Sequence, residues 1–167
     1  MLGRTSCLSI QKRQPTYKDT IVCEEWLDFQ NFAKWCYSQP LLNAKADKGR
    51  YYQLDKDLLL KGNKVYSPET CCFVPPVLNN LIKSKAISNG DYPIGVSSSR
   101  RTDGFEAKVV LFGKKKYLGL FNTIESAFQA YKKAKEAHIK DVANEWIDKI
   151  DSKVYQALLN WEISIND

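Results

Sequence analysis

The sequence is poor in the residues that most metal and acid–base sites are built from. Its 167 residues hold one histidine, His138. A zinc site needs about four ligands, and one imidazole with scattered thiols does not supply them. Cysteines stand at positions 7, 23, 36, 71 and 72, an odd count with no Cys-x-x-Cys pair. That pattern argues against a disulfide framework and for reduced thiols in a cytoplasm, with buried apolar cysteine as the default. No apolar run is long enough to span a membrane, and no charged-then-apolar stretch opens the chain as a secretory signal would. Eight glycines and six prolines exclude collagen-like and low-complexity classes.

What is present is charge, unevenly spread. Lys and Arg total 25 against 19 acids, for a net charge of +6. Residues 95–140 carry 10 bases and 4 acids, whereas residues 141–167 carry 2 bases and 6 acids. A basic block followed by an acidic tail points to an anionic partner, nucleic acid first.

The pattern predicts an α+β chain in three parts: 1–89, 92–140 and an acidic helical tail at 141–167. Ser84–Asp91 is short, polar and glycine-containing, as a linker is. Glu24–Tyr37 places apolar residues at helical spacing, with Pro40 beyond its end. Tyr51–Asp57 reads as extended, Lys61–Lys64 as a turn, and Val77–Lys83 as a short helix opened by Pro76. Ile94–Ser97 reads as a strand, followed by a polar loop with Arg100 and Arg101. Phe105–Leu111 alternates, Phe112-Gly113-Lys114 closes a hairpin, and Lys115–Phe121 is the next strand. Asn122-Thr123-Ile124-Glu125 reads as a capping box, Asn122 bonding forward and Glu125 reaching back. The helix that follows carries Ala127, Phe128, Ala130, Tyr131, Ala134 and Ala137 on one side. Phe105, Tyr117 and Phe121 are expected in the core beneath it, His138 is expected to be structural, and Lys132, Lys133, Lys135 and Lys140 to form a solvated face.

The second part resembles the APETALA2-like DNA-binding domain. The resemblance rests on Ile94-Gly95-Val96, Phe105-Glu106-Ala107-Lys108-Val109, Lys116-Tyr117-Leu118-Gly119-Leu120-Phe121, Thr123-Ile124-Glu125-Ser126-Ala127 and Ala130-Tyr131. It implies a three-stranded antiparallel sheet packed on a helix, with the sheet lying in the major groove of double-stranded DNA. The DNA-binding residues it suggests are Arg100 and Arg101 as base readers, with Lys108, Lys114, Lys115 and Lys116 on phosphates. Family members carry several Arg and Trp on these strands, where this chain has Lys and no Trp.

The first part resembles phage HNH homing endonucleases, whose ββα region often precedes such a domain. The matching segments are Cys23–Phe32, Leu54-Asp55-Lys56-Asp57 and Tyr66–Pro75. On this resemblance Met1–Arg4 looks like the end of a helix that starts earlier in relatives. HNH chemistry uses one divalent metal, usually Mg²⁺, and a histidine that activates water. Asp55 or Lys56 stands where that histidine falls, and Thr70 where the family has a metal-side Asn. The half therefore reads as degenerate. Asp55 and Asp57 remain the candidate catalytic and metal-binding pair, on one face of a strand with Lys56 on the other, and Asn63 and Glu69 are further candidate metal ligands.

Three functions are thus expected in order. The first is a phage or mobile-element DNA-binding protein of the host cytoplasm with HNH catalysis lost. The second is an active Mg²⁺-dependent nicking endonuclease. The third is an inhibitor of a host protein, docking through the tail with Trp146, Leu158, Leu159 and Trp161. The opposing expectation for the tail is a helix packed back on its own domain, since Ile147, Ile150, Val154 and Leu158 keep helical spacing.

Overall fold

A computed structural model describes residues 2–46, 49–83 and 92–167; the expected linker at 84–91 lies outside them. The fold is mixed α+β. It divides into two compact units, Met1–Leu81 with Ile147–Ala157, and Ile82–Trp146 with Leu158–Asp167. Residues 141–167 thus do not stand as a separate tail, and 147–157 belong with the first unit. No helix of the described residues is long and apolar enough to cross a membrane.

The first unit opens with two short helices, α1 (Leu2–Ser6) and α2 (Leu8–Arg13). Strand β1 (Ile21–Val22) pairs in parallel with β3 (Val65–Tyr66), and β2 (Gln53–Asp55) pairs antiparallel with β4 (Cys72–Val74). The helix expected from Glu24 begins later. Glu24–Leu27 form a 3₁₀ turn, and α3 covers Phe29–Ser38. The break falls at Asp28, whose carboxylate accepts the Gln30 N–H at 2.8 Å and so caps α3. Helix α4 (Pro76–Ile82) starts at proline, as its missing N–H permits.

Trp26, Tyr66 and Cys71 make the centre of this unit, with Phe32, Trp35 and Leu54 against them. Trp26 is fully buried, its ring 4.6 Å from Trp35 and 5.1 Å edge-on from Phe32. Residues 147–157 are tied in by the Tyr52 hydroxyl, which donates to the Lys149 carbonyl at 2.8 Å. Ile150, Val154 and Leu158 are buried and Ile147 is half exposed, so the tail spends most of its apolar stripe inside the protein. Helix α6 (Ser152–Leu159) carries Val154 and Leu158. All five cysteines are free, and Cys36, Cys71 and Cys72 are buried. Burial pushes the Cys71 thiol up to about 12 and raises Cys72 as well, which leaves both unreactive at neutral pH.

In the second unit, β5 (Val96–Ser98), β6 (Phe105–Leu111) and β7 (Lys114–Phe121) form an antiparallel sheet in that order. Helix α5 (Ile124–Glu145) packs across all three strands. Ala107 and Val109 of β6 are buried, as are Ala127, Phe128 and Tyr131 of the helix that packs on it. The helix is capped one residue later than expected: the Thr123 hydroxyl accepts the Ser126 N–H at 3.1 Å. Thr123 is the position whose extended backbone precedes the first helical turn, so Asn122 lies outside it. Farther along, His138, Ile139, Val142 and Ala143 are buried, while Ala137 is exposed. Lys135 is half-buried, and burial lowers its pKa, so the expected solvated face is confined to its neighbours.

The β6–β7 hairpin turns on Phe112 and Gly113, with φ of 47° and 77°. Two left-handed residues make a type I′ turn, whose twist matches the strands it joins. Phe112 is not glycine, and His138 compensates. Its ring meets the Phe112 ring edge-on at 4.4 Å, and its Nε2 accepts the Phe112 N–H at 3.3 Å. An accepting Nε2 is the unprotonated one, and burial lowers the imidazole pKa toward that neutral form. His138 is therefore a brace for the turn. At the C-terminus, the Ile163 N–H donates to the Glu136 carboxylate at 2.8 Å, and Ile163 is buried.

Candidate nucleic-acid interface

Opposed residues of antiparallel strands point to the same face, so the register sorts the cations. Ala107 and Val109 look toward α5. Glu106, Lys108 and Val110 therefore look away from it. Across from them on β7 stand Leu120, Tyr117 and Lys115, in that order. Ser97 of β5 lies beside Glu106. The face away from α5 thus carries Lys108, Lys115, Tyr117, Val110, Leu120 and Glu106.

This differs from expectation at three positions. Lys114 and Lys116 oppose Leu111 and Val109, so they share the side of α5 and reach solvent at the edge of the sheet. Tyr117, expected in the core, is 55% exposed on the opposite face. The cause is a bulge: Ala107 opposes Gly119 but Lys108 opposes Tyr117, leaving Leu118 without a partner. One extra residue reverses the alternation of everything before it in β7. Phe105 and Phe121 stay on the helix side, opposite each other.

Arg100 and Arg101 are exposed in the β5–β6 loop. The loop is closed by Ser99 N–H donating to the Gly104 carbonyl at 2.9 Å, and the Arg101 N–H donates to the Ser99 hydroxyl at 3.3 Å. Lys108 donates to the Glu106 carboxylate. That hydrogen bond, with the nearby charges of Lys108 and Arg101, holds the Glu106 carboxyl below its ordinary range. Among the described residues Lys115 has no carboxylate partner. The face offers Lys115, the Lys108–Glu106 pair and a half-exposed aromatic ring, and α5 covers the other side.

The acidic pair of the first unit is arranged differently from its expectation. The strand ends at Asp55, where the chain turns. One Asp55 carboxylate oxygen accepts the N–H groups of Asp57 and Leu58, at 3.0 and 2.8 Å. Lys56 does not point away. It is buried, with its ammonium 3.2 Å from Asp57 Oδ2 and donating to the Asn63 carbonyl at 2.7 Å. Asn63 is committed to the loop backbone: its Nδ2 donates to the carbonyls of Lys56 and Val65 at 2.7 and 2.6 Å, and its Oδ1 accepts the Val65 N–H at 3.1 Å. Burial, and then the neighbouring charge of Asp57, push Asp55 up to about 6.

These residues do not fit a Mg²⁺ ion. A hard cation needs several free oxygens. Here an ammonium already neutralises Asp57, the side-chain oxygen of Asn63 is taken by the Val65 N–H, and one Asp55 oxygen serves two amides. Among the described residues, no three His, Cys, Asp or Glu side chains converge to hold a metal. Thr70, where the HNH pattern has Asn, donates its hydroxyl to the Val65 carbonyl at 2.8 Å and braces the same loop.

No family model, no curated protein and no solved structure matches the chain.

Proposed function

We propose that the protein binds double-stranded DNA through an APETALA2-like module at 92–140, with the open face of its three-stranded sheet lying in the major groove. The observation that carries this reading is the open face itself. It is one layer of sheet, backed by a helix, with Lys108 and Lys115 projecting from it and Arg100 and Arg101 in the loop at one end. A major groove about 12 Å wide admits a narrow sheet. Lysines long enough to reach the phosphate backbone orient the protein, while shorter side chains on the same face meet base edges. Lys114 and Lys116, at the edge beside α5, have no place on the floor of the groove and serve at most the flanking backbone.

Residues 1–89 act in this reading as an HNH-like scaffold without nuclease chemistry. What supports the HNH-like descent is the order of β2, β4 and α4, two paired strands and then a helix. What argues against catalysis is the Asp55–Lys56–Asp57 turn, which spends its carboxylates on backbone amides and an ammonium. The test is supercoiled plasmid incubated with the full chain in Mg²⁺ and then in Mn²⁺. The plasmid is retarded on a gel and, after the protein is removed, runs unbroken. Relaxed circles that vanish in Asp55→Ala would establish the nicking endonuclease instead.

A further inference from the structure

The open face mixes its cations with two aliphatic side chains and an aromatic ring, each about half exposed. Val110, Tyr117 and Leu120 are 49, 55 and 46% exposed. They stand beside Lys115, Lys108 and Glu106 respectively, one to each row of the face. Rows on one face lie two residues apart, about 7 Å, so the three cover roughly 14 Å of strand. That length corresponds to about four base steps.

Val and Leu have neither donors nor acceptors. In the major groove the base edges present nitrogen and oxygen atoms, and one methyl group that projects into the groove, the 5-methyl of thymine. A polar edge pressed against Val110 or Leu120 would lose its water with nothing in return, which is unfavourable. A methyl group in the same place is a gain. The polar side chains of the face do not override this. Lys108 and Lys115 lack the planar fork that grips guanine, and Lys108 is drawn to Glu106. The arginines lie in the loop at one end rather than on the strands.

We infer that the sheet selects duplex DNA whose major groove presents thymine methyl groups, with Val110, Tyr117 and Leu120 as the residues that meet them. This rests on the major-groove docking proposed above and adds its specificity.

The test separates the two. A random-sequence duplex pool is prepared once with thymine and once with uracil, which keeps every hydrogen-bonding atom and lacks only the methyl. The full chain is titrated with each at one salt concentration and followed by fluorescence anisotropy. The thymine pool binds tighter, by about fourfold for each methyl covered. Val110→Ser with Leu120→Ser narrows that ratio while leaving the salt dependence unchanged. Tyr117→Ser gives a second reading if the double variant fails to fold, as judged by circular dichroism. Equal, salt-sensitive binding of both pools would overturn thymine selection and leave the DNA reading standing. A ratio unaltered in folded variants would overturn the assignment to these residues. No binding to either pool at low salt would overturn the docking itself, and the inference with it.

Discussion

Lys108→Ala with Lys115→Ala weakens binding to duplex DNA roughly fiftyfold near 0.1 M salt. It also flattens the plot of log affinity against log salt by about two. Each phosphate contact releases counterions and contributes about 0.9 to that slope, or nearly tenfold in affinity at this salt. Both lysines project from the open face, and losing Lys108 also leaves Glu106 without its nearest cation. Lys114→Ala with Lys116→Ala removes the same charge from the side of the sheet that bears α5. That variant loses clearly less, well under tenfold. An equal loss in the two pairs would mean that the whole hairpin attracts DNA through net charge and that neither face docks.

Gly95→Ala destabilises the second unit by roughly 3–5 kcal/mol, overpacking and left-handed backbone together, and weakens DNA binding with it. Gly95 lies at φ +81°, and a Cβ there would stand 2.0 Å from the Tyr131 ring. The ring is buried, with the Phe128 ring 6.4 Å away, so there is little room for it to retreat. The same stretch of backbone carries the first contact of the sheet, since the Lys108 N–H donates to the Gly95 carbonyl at 2.8 Å. Gly113→Ala is the control. It has nearly the same φ, +77°, but nothing within 4 Å of the added carbon. It costs about 1–2 kcal/mol for the left-handed backbone alone. Thermal unfolding of the two variants, followed by circular dichroism, reads the difference directly. Gly95→Ala melting with Gly113→Ala would mean that the Tyr131 packing does not hold the sheet to its helix.

Much of the second unit is legible in the sequence because its local signals agree. The alternation of Phe105–Leu111, the Phe112-Gly113 turn and the run of small residues in α5 all specify neighbours a few residues apart. What misled was the strict period of two on β7. Counted back from Phe121 it places Tyr117 under the helix, whereas the bulge at Leu118 turns it outward. The sequence does hold a sign of this, since Gly119 interrupts the strand and glycine inside a strand often marks a bulge.

The acidic turn departs from the expected strand for a related reason. Asp55 and Asp57 share a face only if the strand continues, and Asp55 ends it by bonding two amides beyond itself. Aspartate's habit of capping its own backbone competes with extended structure. Lys56 then has no opposite face to occupy and turns in against Asp57. The attachment of 147–157 to the first unit depends on contacts nearly a hundred residues apart, such as Tyr52 with Lys149. No local pattern announces such a contact.

The central claim is that one face of one sheet meets DNA. The most direct measurement is a ¹⁵N NMR titration of the full chain with a short duplex. The expected result is that the amide signals of Lys108, Val110, Lys115, Tyr117 and Leu120 shift, together with those of Arg100 and Arg101 in the loop, while those of residues 53–74 stay in place. Shifts concentrated around Asp55–Asn63, or on the exposed side of α5, would contradict it.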